Sequence, residues 1–160
     1  SGTLRGIVAI DSLPDYSERA VAFLRTFAEK PQRRFAALEE AVASFRLLPR
    51  ETIAKPEVLQ HVARHSFRQL EDGAWTHKLD RRTLIREPLR VWDLLPKIEC
   101  PALVVRIPQS PVLTRDDADK MVSALPHGRL AEIANSYHHV MLDNPDALIA
   151  VLKDFFKELP

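Results

Sequence analysis

Cysteine is almost missing from this chain of 160 residues, where Cys100 stands alone. A lone thiol excludes an internal disulfide and fits a reducing compartment, so the expected setting is the cytoplasm. Long apolar runs are missing too. The longest, such as Ile7 to Ile10 and Ala147 to Leu152, fall far short of the ~20 residues a membrane-spanning helix requires. Neither sign of charge dominates: 23 basic against 22 acidic residues leave a formal charge of +1. That balance offers no broad positive field for nucleic acid or anionic lipid. The residues from Ser1 to Gly6 show none of the regions of a signal peptide and run straight into a strand-like segment, so the chain is expected to start abruptly, inside a larger fold. Glycine is scarce as well. Gly2, Gly6, Gly73 and Gly128 are the whole set, and none brackets a serine, cysteine or aspartate.

What is present is the material of an ordinary core, with 46% hydrophobic residues. Arg5 to Asp11 is a continuous β-rich run closed by a polar residue, the pattern of a strand covered on both faces of a parallel sheet. Between Ser17 and about Lys30, Ala20, Val21, Phe23, Leu24, Phe27 and Ala28 recur at helical spacing, and Pro31 stops them. A second helix is expected from Phe35 to Arg46. A third opens at Pro56 and runs to about Leu70. Asp72-Gly73 marks a turn, and Ala74 to Pro88 is mixed and polar, so it is expected to be irregular. A short helix follows around Leu89 to Leu95.

Cys100 to Arg106 is a second buried-strand run, with proline tolerated at its entry. Thr114-Arg115-Asp116-Asp117 has the form of a capping box opening a helix to Leu125. Arg129 to Ile133 reads as a third strand, and Asn144-Pro145-Asp146 as the cap and first turn of a last helix through Phe156. The expected class is therefore α/β: a partial parallel sheet of about three strands with flanking helices and a helical insertion. The division is residues 1–13 as a core strand, 14–90 as a cap or lid, and 91–160 as the remaining core. Ligands of open α/β sheets bind at the carboxyl ends of the strands.

Three stretches carry a resemblance: Ile7 to Ser12, Cys100 to Val105, and Tyr137-His138-His139-Val140-Met141-Leu142-Asp143-Asn144-Pro145. Together they resemble the C-terminal third of α/β-hydrolases, over nearly the whole chain. In that family a histidine stands seven residues before the proline that opens the final helix, as His138 does before Pro145. The resemblance implies that His138 is the triad histidine, favoured over His139, which occupies a position that commonly holds an aromatic or apolar residue. A histidine of this kind takes a proton from a nucleophile and returns it to a leaving group, and a carboxylate must orient its ring.

The commoner family position for that carboxylate lies in the loop after the Cys-Pro strand, but here the chain reads Ile107-Pro108-Gln109-Ser110. Some members place it at the end of the preceding strand, where Asp11 stands. Asp11 is the first choice, weighed against a plain turn with Ser12; Asp15, Asp116 and Asp117 are weaker candidates, the last two already explained as first-turn residues. The nucleophile elbow, Gly-x-Ser-x-Gly or a variant, does not occur in the chain and is expected upstream, so the chain alone is expected to be inactive.

The resemblance implies hydrolysis, with a carboxylic ester or related small hydrophobic substrate as the leading class, although the fold also supports epoxide, haloalkane and carbon–carbon bond cleavage. Phe45, Leu47, Phe67, Trp75 and Trp92 are read mainly as core and secondarily as pocket lining. No cofactor and no metal is expected. His61 and His65 have the i, i+4 spacing of a metal pair but no identifiable third ligand, and Cys100 reads as packing. The alternative reading is a non-catalytic half-domain that self-associates or takes up a complementary segment along an open sheet edge.

Overall fold

In chain order the elements are β1 (Ile7–Ile10), α1 (Glu18–Glu29), β2 (Arg34–Phe35), α2 (Leu38–Ser44), α3 (Pro56–His65), β3 (Phe67–Gln69), β4 (Trp75–His77), β5 (Ala102–Arg106), α4 (Arg115–Ala124), β6 (Gly128–Glu132), α5 (Val140–Asp143) and α6 (Pro145–Lys157). Short 3-10 turns lie at Arg81–Leu84, Val91–Asp93 and Leu95–Lys97. The structure is a computed structural model that describes residues 4–85 and 91–159. The expected abrupt start at Ser1, the opening of the short helix at Leu89 and the boundary at Arg90 lie outside the described residues.

The described chain divides into two compact units, one made of residues 4–15, Glu51–Ile53 and residues 91–159, the other of Tyr16–Arg50 and residues 54–85. In the first unit β1, β5 and β6 form a parallel sheet in the order β1-β5-β6. Alternation along β5 explains its two covered faces. Ala102 and Val104 enter a core with Leu95, Leu113, Ala118, Met121 and Leu125, whereas Leu103 and Val105 enter another with Ile107, Ile133, Val140, Leu148 and Phe155. Thus α4 covers one face and α6 the other. The register pairs Ile10 with Val105 and Val105 with Ala131, so Asp11, Arg106 and Glu132 all stand at the carboxyl edge of the sheet.

The helix starts follow from their caps. The Thr114 hydroxyl accepts from the Asp117 amide at 3.1 Å and donates to the Asp117 carboxylate, and the Asn144 side chain accepts from the Ala147 amide with Pro145 behind it. Gly128 is required by close approach: a Cβ there would lie 2.7 Å from both the Val122 carbonyl oxygen and the Leu125 Cβ.

In the second unit Ser17 caps α1 through the Ala20 amide. Three expectations are corrected here. The helix expected from Phe35 to Arg46 is confined to Leu38–Ser44, with Arg34–Phe35 in a strand. The helix expected to reach Leu70 stops at His65, and Phe67–Gln69 is a strand. The stretch from Ala74, expected to be irregular, contains β4.

The physical reason is common to all three. Phe35, Phe67 and Trp75 gain more from a shared antiparallel sheet, ordered β2-β4-β3 around the Asp72-Gly73 turn, than from continuing separate helices. The Phe35 and Phe67 rings meet edge to face at 5.9 Å, and Gly73 supplies the positive φ of 85° that the turn needs.

Candidate active site

β1 ends by delivering Asp11 to the sheet edge in a left-handed conformation, φ 43°, with its amide still donating to the Val105 carbonyl at 2.7 Å. The side chain is fully buried. A non-glycine residue in this region is sparsely populated and costs on the order of 1–3 kcal/mol, so the surrounding structure must hold it there. Among the described residues, the other non-glycine residue with positive φ is Asn135, three positions before His138. Both strained positions therefore frame the same pair of loops.

Across these loops the Asp11 Oδ2 lies 2.9 Å from the His138 Nδ1. A carboxylate can only accept, so the shared proton belongs on Nδ1 and the Nε2 lone pair is left available. The His138 side chain keeps 29% of its surface exposed while Asp11 has none. An imidazole partly open to solvent and oriented from behind by a buried carboxylate can accept a proton and give it back, which is the chemistry of a general base. The second carboxylate oxygen, Oδ1, is buried without a hydrogen-bond partner among the described residues.

The loop bearing His138 is pinned by side chains rather than by a ladder. The Ser136 amide donates to the Gln109 side chain at 3.2 Å, the Tyr137 amide to the Asp143 carboxylate at 2.8 Å, and the Asn144 amide group to the Ala134 carbonyl at 3.3 Å. Sequence reasoning assigned no role to Gln109, Ser136 or Asp143. For Asp143 a signal existed in its place between His138 and Pro145, but two of its partners, Thr52 and Ile53, are remote in sequence.

The structure puts the other candidates elsewhere. Asp15 accepts from the Val91 amide at 2.9 Å. Asp116 and Asp117 occupy the first turn of α4, and the Ser110 hydroxyl accepts from the Val112 amide. His139 precedes α5 and meets the His138 ring edge-on at 5.0 Å.

The His61 and His65 rings lie 4.2 Å apart and tilted to each other on α3, and no group of three or more His, Cys, Asp or Glu among the described residues is placed to hold a metal. Phe45, Phe67 and Trp75 pack in the core of the second unit. Trp92 lines a surface hollow with Asp117, Lys120 and Ser123, which includes neither His138 nor Asp11.

The arrangement of parallel strands and flanking helices is similar to that of solved structures. A novel esterase from Mycobacterium tuberculosis matches 94% of this chain with a TM-score of 0.68 and 20% identity. The fold is that of the C-terminal portion of an α/β-hydrolase. E-2-(acetamidomethylene)succinate hydrolase matches 96% of the chain with a TM-score of 0.74 and 17% identity, and a thermophilic esterase from Thermogutta terrifontis matches 97% with 0.70 and 18%. The chain spans about half the length of these structures: 51%, 58% and 56% respectively. No family model matches the sequence, and no curated protein matches it. No helix among the described residues is long and apolar enough to cross a membrane.

Proposed function

We propose that this chain supplies the general base and its orienting acid to a hydrolase whose nucleophile lies in another segment of the protein. In this reading His138 takes the proton from the nucleophile as it attacks, and Asp11 fixes the tautomer and stabilises the imidazolium that forms. The observation that carries the reading is the 2.9 Å approach of the buried Asp11 carboxylate to the His138 Nδ1 at the carboxyl edge of a parallel sheet. Two strained positions bordering that contact support it, because backbone strain tends to collect at functional sites.

A carboxylic ester or related small hydrophobic molecule is the substrate class we favour, since two of the structural neighbours described above are esterases. Residues 14–90 are read as a cap or lid segment, and Cys100 as a lone thiol suits a cytoplasmic protein. The test is ester turnover by the longer protein containing this segment, compared with its His138→Ala variant. Loss of turnover is expected, and full activity in the variant removes His138 from the mechanism.

A second reading draws on β1, which pairs only with β5 and so is an edge of the described sheet. An edge strand presents unpaired backbone groups to which a complementary strand can be added. On this reading the chain is an interaction module that self-associates or accepts a partner segment along β1. Light scattering separates the outcomes, because a monomer at high concentration with no dye-binding apolar surface argues against self-association.

A further inference from the structure

We propose that Asp143 is a positioning residue that ties the His138 loop to the chain segment Glu51–Ile53, so that this segment and the candidate base are held as one piece. Three donors from two remote parts of the chain converge on its carboxylate. Oδ2 accepts from the Tyr137 amide at 2.8 Å, while Oδ1 accepts from the Ile53 amide at 3.1 Å and from the Thr52 hydroxyl. Tyr137 is the residue immediately before His138. Thr52 and Ile53 lie in the short stretch that belongs to the first unit while the chain on either side of it belongs to the second.

The residue type matters. A carboxylate offers two oxygens with about four acceptor sites and no donor, and its charge strengthens each bond. An asparagine in the same place keeps one acceptor oxygen and turns a donor toward a donor. The sequence separations of 91 and 90 residues make these links tertiary, so they cannot be replaced by local turn propensity. They also explain how a loop with a left-handed Asn135 and no ladder bonds of its own keeps His138 at 2.9 Å from Asp11.

The idea rests on His138 being the working base, but its test does not use catalysis. Amide hydrogen exchange on the full chain reads the clamp, and long-range nitrogen–proton NMR reads which His138 ring nitrogen carries the proton. In Asp143→Asn, exchange at Tyr137 and Ile53 is expected to accelerate together by about ten- to a hundredfold, as for loss of charge-assisted bonds. The His138 ring is expected to lose its single Nδ1–H form, while amides in the middle of α6 keep their protection.

Thr52→Val removes one donor only and guards against a variant that fails to fold; it is expected to accelerate exchange at Tyr137 as well as Ile53. Unchanged exchange at Tyr137 in either variant, or an undisturbed His138 tautomer in Asp143→Asn, overturns the proposal. Should His138→Ala leave turnover of the longer protein intact, the catalytic reading falls while the exchange result stands separately.

Discussion

The carboxylate of Asp11 and the imidazole of His138 meet at 2.9 Å across 127 residues of sequence, one fully buried and the other partly open to solvent. Neither residue is placed by its immediate neighbours in the chain alone. The parallel register of β1 with β5 sets Asp11 at the sheet edge, and side chains from Gln109, Asp143 and Asn144 set the loop that carries His138.

If Asp11 is retained for orientation and charge, replacing it separates function from stability. Asp11→Asn in the longer protein is expected to lower ester turnover by about 10⁴-fold, the scale on which a misdirected tautomer acts. The same change removes a buried charge with an unpartnered oxygen, so stability is expected to hold or rise by about 1 kcal/mol. Urea unfolding and steady-state kinetics on one preparation check both halves, and a large fall in stability counts against this account.

Gly128 is expected to resist even alanine. The added Cβ would sit 2.7 Å from the Val122 carbonyl, which is backbone and cannot turn away. Gly128→Ala should destabilise the chain by about 1–3 kcal/mol, the range for overpacking. A shift of the urea midpoint without a change in slope is the expected signature.

Leu113 is fully buried beside Val104 and Met121. Leu113→Ala leaves a cavity on that face of the sheet and should cost about 2–5 kcal/mol. A smaller loss would mean that the neighbouring helix collapses into the gap.

His77 gives the second unit a pH dependence with a definite sign. Burial, and secondarily the Arg81 charge, hold its pKa below the usual 6.5. Its Nδ1 accepts from the Leu79 amide at 2.9 Å, and its ring stacks on Phe45, so the neutral form is the one the fold accommodates. The folded state binds a proton less readily than the unfolded chain, and stability rises with pH between the two values. Its contribution is complete above about 6.5, the unfolded value, and is lost as pH falls through the lowered folded value. Trp75 fluorescence during urea unfolding, in a Trp92→Phe background, should show this decline, and His77→Phe should flatten it.

The local features of the fold were legible in the chain. Ile7 to Ile10 and Ala102 to Arg106 read as strands because unbroken apolar runs of this length suit a sheet, although Ala102 to Val105 are buried and Ile7 to Ile10, at an edge of the described sheet, are only partly so. Ser17, Thr114 and Asn144 marked helix starts because their side chains satisfy amides three residues on. Pairing between distant segments was not legible. The helix expected to run through Phe67 gave way to a strand once Phe35 and Trp75 were beside it.

By itself the sequence determined which residue types were available: a histidine seven positions before Pro145, an aspartate closing the first strand, and no elbow for a nucleophile. Only the tertiary structure decided that Asp11 turns left-handed into the protein to face His138, and that Asp143 joins that loop to Thr52 and Ile53. Short-range preferences act within a turn or two of the chain and leave their mark on its pattern. Hydrogen bonds that span 90 residues or more are fixed by the sheet register and the two cores, and such contacts leave no local trace.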